Sequence, residues 1–124
     1  MNNSQSSKPN FNPLTSAVFH ILLALSEGEL HGYRIMQTVF RDSEGQFHMG
    51  PGTLYGTIKR MIAEGLIEES EERPDLTLDD ERRRYYHLTE LGKKTVRAES
   101  ERLDGLVRRA RELRLVCASK GETL

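Results

Sequence analysis

Three observations predict a mainly α, α+β fold. Apolar residues recur at spacings of three and four in four separate stretches, the pattern of helices that bury one face. A strand-like alternation of Arg84, Tyr86 and Leu88 against Arg83, Tyr85 and His87 follows a shorter one at residues 66–70, so the β structure reads as one hairpin. The chain has 124 residues, 36% of them apolar, which suffices for one core but not for two domains.

The elements follow in order. Residues 1–13 hold almost no apolar side chains and read as a disordered tail. From residue 14 to residue 26, Leu14, Ala17, Val18, Ile21, Leu22 and Leu25 trace a helix face, while Phe19 and Leu23 form a second apolar stripe. That helix needs two neighbours, its own core and a partner subunit. The run Ser26, Glu27, Gly28, Glu29 signals a turn, after which Gly32, Ile35, Met36, Val39 and Phe40 set out a second helix face, with Gly32 permitting a close approach. Gly50 and Pro51 open a third helix, with glycine at the cap and proline in the first turn. Gly65 closes it.

Leu54, Ile58 and Met61 or Ile62 form the buried face of this third helix, leaving Thr53, Tyr55, Gly56, Lys59 and Arg60 facing outward. The hairpin follows, joined by a long acidic tip. Thr89 is a good N-cap for a final helix over residues 89–117, on which Val96, Glu99, Leu103, Leu106, Ala110, Leu113 and Cys117 lie in a three-four stripe. Its seam of Leu103, Leu106, Ala110 and Leu113 is more apolar surface than a monomer should leave in water. Three helices, a two-stranded hairpin and a long helix make a winged helix-turn-helix domain at 14–88, a dimerisation helix at 89–117 and a flexible tail at 118–124.

Composition narrows the function. No run of eighteen apolar residues and no secretory leader is present, which predicts a cytoplasmic protein with no membrane association. Cys117, the only cysteine, fits a reducing compartment, and a redox role for it across a dimer carries little weight. The formal net charge of −1 argues against coating nucleic acid by charge alone, so DNA binding must rest on placement. Residues 66–88 hold eight acids against four arginines, whereas residues 89–116 hold eight basic residues against five acids. The four histidines, His20, His31, His48 and His87, show no metal-ligand spacing, and neither a nucleophile motif nor a phosphate-cradling glycine loop appears. The expectation is a non-enzyme without cofactor or metal.

The third helix carries the binding chemistry. Small residues such as Thr53, Gly56 and Thr57 let a backbone approach a duplex, a Tyr55 hydroxyl can bond phosphate, and Lys59 and Arg60 can neutralise it. Arg82 and Arg84 share one strand face and Arg83 the other, so one of the first two is expected at the DNA, with Arg73 on the opposite flank.

Three stretches, LTSAVFHILLALSEGELHGYRIMQTV, GTLYGTIKRMIAEGLI and RRRYYHLTELGKK, resemble the PadR family of bacterial transcriptional regulators over residues 14–113. The resemblance implies a homodimeric winged-helix protein that binds double-stranded DNA, usually a repressor, released by a small molecule or another signal. It places Thr53, Tyr55, Lys59 and basic residues of the wing at the DNA, and the short C-terminal part matches one branch of the family. Two features depart from it. The wing tip carries Asp75, Asp79, Asp80 and Glu81, and the chain has no tryptophan, so the stacking platform by which some related regulators hold flat aromatic drugs is missing. The dimer is expected to use Phe19, Leu23, Val96, Leu103, Leu106, Ala110 and Leu113, with any effector between the first and last helices or at the seam. The alternative is a winged-helix module that binds protein instead of DNA, which the acidic wing and the net charge favour.

Overall fold

A computed structural model describes residues 14–70 and 84–117. The two tails and the wing tip, with Arg73 and Arg82, lie outside the described residues. The elements run α1 (Ser16–Leu25), β1 (Leu30–His31), α2 (Gly32–Asp42), α3 (Pro51–Ala63), β2 (Ile67–Glu69), β3 (Tyr85–Leu88) and α4 (Glu90–Glu112). Among the described residues there are thus four helices and one small antiparallel sheet of order β1-β3-β2, with Ile67 opposite Leu88 and Leu30 opposite Tyr86. β1 is absent from the sequence reading because two residues are too few to show alternation.

The core is built from the predicted helix faces. Ile21 and Leu22 of α1, Ile35 and Val39 of α2, Leu54 and Met61 of α3, and Ile67 of β2 are all fully buried. Tyr86 and Leu88 close it from β3, and Val96 from α4. Two expected positions exchange sides: Thr38 of α2 is buried, whereas Phe40 is half exposed, its ring edge-on to His48 and packed over Gly45. Met61 is the buried member of its pair and Ile62 faces outward.

Helix ends explain most boundary differences. The Thr15 hydroxyl accepts from the Val18 amide at 3.2 Å, so α1 begins two residues later than its apolar pattern. α3 stops as expected, with Gly65 at φ +81° and the Leu66 amide donating back to the Met61 carbonyl at 3.0 Å. α4 ends at Glu112, not at residue 117. The same closure forms there with Arg114 at φ +64° and the Leu115 amide on the Ala110 carbonyl, a stop for which the sequence offers no glycine.

Thr89 joins the sheet to α4. Its hydroxyl donates to the Gly65 carbonyl at 2.6 Å and accepts from the Gly92 amide at 3.0 Å, tying the end of α3 to the start of α4. Gly92 is packed so closely that an added Cβ would lie 2.1 Å from the Leu66 carbonyl oxygen. Backbone cannot yield as a flexible side chain can, so Gly92→Ala should destabilise the protein by about 3 kcal/mol, the upper end of ordinary overpacking. Urea midpoints at one fixed protein concentration check this, and an unchanged midpoint would refute it.

Candidate nucleic-acid interface

Gly50 caps α3 in an extended conformation and Pro51 occupies its first turn, after which no acidic residue occurs through Ala63. Leu54, Thr57, Ile58 and Met61 are buried. Thr57, expected among the outward small residues, is therefore a core residue. Gly52, Thr53, Gly56, Lys59, Arg60 and Ala63 are all exposed, and their three-four spacing gathers them into one stripe. Small residues occupy its first half and two cations its second. Lys59 and Arg60 form no ion pair among the described residues, so both charges are available to a ligand.

The two glycines of this stripe are not demanded by packing. A Cβ at Gly52 or Gly56 would meet nothing within 4 Å. Glycine inside a helix costs about 0.5–1 kcal/mol relative to alanine, so the helix gives up stability at two exposed positions with no internal return. A smooth face open to an outside surface accounts for that choice.

Tyr55 does not belong to the stripe. Its hydroxyl oxygen is buried, and an added Cβ at Gly32 would lie 2.3 Å from that oxygen and 2.8 Å from the ring. The ring fills the space that Gly32 leaves open at the first turn of α2 and thereby fixes the approach of α2 to α3. The outward phosphate contact read from the sequence is corrected to an inward packing role. Gly32 itself was the available signal, since a close approach requires a bulky neighbour.

At the hairpin, Arg84 is exposed beside β3 and its Nε lies 3.5 Å from Glu69 Oε2 on the neighbouring strand. His87 Nδ1 lies 2.8 Å from Ser70 Oγ, and its Nε2 is 3.6 Å from Glu68 Oε1. Among the described residues of the wing, two carboxylates, Glu68 and Glu69, thus stand against one arginine, Arg84. His31 caps α2, its Nδ1 accepting from the Arg34 amide at 3.2 Å, while His20 stacks on Phe47 at 4.5 Å between ring centroids. No group of three metal-ligating side chains forms among the described residues.

The expected seam divides. Val96 is buried in the chain's own core, so it is a core residue with little surface for a partner. Phe19 is partly buried against that core, Leu23 is exposed, and along α4 the stripe emerges through half-buried Leu103 and Ala110 to exposed Leu106 and Leu113. Glu99 stands at the handover. Hydrogen bonds from Arg102, at 2.9 Å from Nε and 2.6 Å from Nη2, hold its carboxyl below the usual carboxylate range.

No described helix is long and apolar enough to cross a membrane. A family model described as "Transcriptional regulator PadR-like family" matches residues 21–98. Transcriptional regulator Rv3488 of Mycobacterium tuberculosis is 34% identical over 89 residues, which cover 72% of this chain and 77% of that protein. An uncharacterised 37.1 kDa protein in transposon TN4556 of Streptomyces fradiae is 33% identical over 90 residues, which span 70% of this chain but 24% of that protein. Among solved structures, a PadR family transcription regulator from Clostridium difficile R20291 shares the fold with a TM-score of 0.66 at 23% identity, over 80% of this chain and 98% of that one.

Proposed function

Because the chain belongs to the PadR-like family of transcriptional regulators, we propose that it is a homodimeric DNA-binding repressor of the cytoplasm, without catalytic activity, released from its operator by a small-molecule signal. One observation carries the DNA reading above all: an acid-free α3 with an exposed stripe of small residues leading into two cations that have no ion-pair partner among the described residues. Thr53 and Gly56 let the helix sink toward base edges, while Lys59 and Arg60 meet phosphates. Tyr55 supports this surface from behind. Arg84 contributes only after leaving Glu69, which makes it a weaker contact than the α3 pair. A protein-binding module would be expected to show apolar side chains where Gly52, Thr53 and Gly56 stand.

Two-fold symmetry would set the two copies of α3 in successive major grooves of a pseudo-palindromic site, with half-sites about one helical turn, roughly 34 Å, apart. Binding measured on duplexes selected from random sequence tests the reading. Lys59→Ala and Arg60→Ala together should weaken selected and random DNA alike and flatten the salt dependence, each lost phosphate contact removing about 0.9 from the logarithmic slope. Unchanged affinity and slope at two salt concentrations would move the protein-binding alternative to first place.

A further inference from the structure

The first half of α3 offers a duplex one base-reading side chain. Gly52 and Gly56 of the exposed stripe carry none, and the Tyr55 hydroxyl is buried against the first turn of α2. Thr57, chemically able to read a base, is 7% exposed and belongs to the interior. Pro51 is exposed, but two residues before Thr53 it projects about 160° away round the helix. That leaves Thr53, exposed at the third position of α3. Gly56, three residues on, is its neighbour along the helix surface, and Gly52 lies four residues before Gly56. An added Cβ at either glycine would meet nothing within 4 Å, so the space beside Thr53 is open. Its side chain therefore stands above its surroundings and is the first to reach a groove floor.

Threonine brings two groups to that floor, and they differ in what they can tell apart. The hydroxyl rotates and serves as donor or acceptor, so it bonds a purine N7 or an exocyclic amine alike and discriminates little between bases. The γ-methyl is apolar, and one base presents an apolar group in the major groove, the C5-methyl of thymine. We infer that the Thr53 γ-methyl packs on a thymine C5-methyl, so that each operator half-site carries a T·A pair at one fixed position. A short β-branched side chain has few χ1 rotamers in a helix, so little freedom is lost in holding the methyl there, far less than a long reader such as arginine would lose. The contact rests on the DNA-binding reading above and adds to it the base that is read and the atom that reads it.

Single groups can be removed from both sides of this contact. Duplexes selected from random sequence should share a T·A pair once in each half-site. Deoxyuridine, placed at each half-site thymine in turn, deletes the C5-methyl and nothing else. At the contacted thymine the full-length protein should bind about fourfold more weakly for one half-site and about fifteenfold for both, the loss expected for one buried methyl group in each. Where a C·G pair replaces that T·A pair, 5-methylcytosine should recover about fourfold per half-site over cytosine, because it restores the methyl without restoring the thymine hydrogen-bond edge. Thr53→Ser, which lacks the γ-methyl, should bind thymine and deoxyuridine sites equally. Thr53→Val, which keeps a γ-methyl and lacks the hydroxyl, should still separate them about fourfold. Thr53 is exposed, so both variants should fold as the parent does. No shared thymine, a parent indifferent to deoxyuridine at every position, a Thr53→Ser protein that still discriminates, or a Thr53→Val protein that does not would each overturn the methyl contact, while salt-dependent binding through Lys59 and Arg60 would stand. A parent that binds neither selected nor random duplex would remove the DNA reading and this contact with it.

Discussion

Leu106→Glu should yield a folded monomer that has lost operator binding. Leu106 is 57% exposed in the single chain, so the substitution removes little intrachain packing and the helical signal should be unchanged. In a two-fold interface the same change places a carboxylate on each partner within an apolar seam. Leaving a buried charge uncompensated costs about 3–5 kcal/mol, incurred by both copies, so the dimer should weaken by about ten-thousandfold or more. Sedimentation at low micromolar concentration should then report monomers, and DNA binding should fall to the weak affinity of one half-site. Leu106→Met, which keeps an apolar side chain of similar volume, should remain dimeric. A parent protein that sediments as a monomer, or a Leu106→Glu protein that stays dimeric, would remove α4 from the assembly.

Local chemistry made most of this architecture legible in the sequence. Gly50 and Pro51 start α3 and Gly65 ends it, because a free cap, a preset φ and a left-handed closure are properties of single residues. The three-four stripes of α1, α2 and α3 identified the core, since burial of one helix face is periodic. What escaped was decided elsewhere in the chain. Tyr55 turns inward because Gly32, on another helix, leaves room for its ring. Val96 and Leu106 lie in one unbroken stripe, yet the first closes the core and the second faces outward, and no periodicity marks where the packing of α1 and β3 against α4 ends. The end of α4 was hidden for a different reason: Arg114 adopts a conformation usually left to glycine. The exposed stripe on α3 lies between these cases. Its residues could be found by position, but their freedom from internal partners could be judged only in three dimensions.

Gly56→Leu should separate stability from DNA recognition. Gly56 is exposed and a Cβ there would meet nothing within 4 Å, so a larger side chain starts out into open space. Replacing a helical glycine should also raise stability, by about 0.5–1 kcal/mol, because less backbone freedom is lost on folding. On the DNA side the effect should be opposite and larger. Gly56 sits on the exposed stripe between Thr53 and the Lys59–Arg60 pair, where a leucine side chain would hold the helix away from the groove floor and break every base-edge contact together. Affinity for the selected site should drop toward that for random DNA, a loss on the order of a thousandfold for a typical specific complex. The salt slope of what remains should stay near that of random DNA, since Lys59 and Arg60 are intact. Gly56→Ala, adding one methyl group, should show the same signs with smaller size. Competition binding and urea unfolding on the same preparations measure both sides. A Gly56→Leu protein that still prefers the selected site would mean that this face of α3 never reaches the bases.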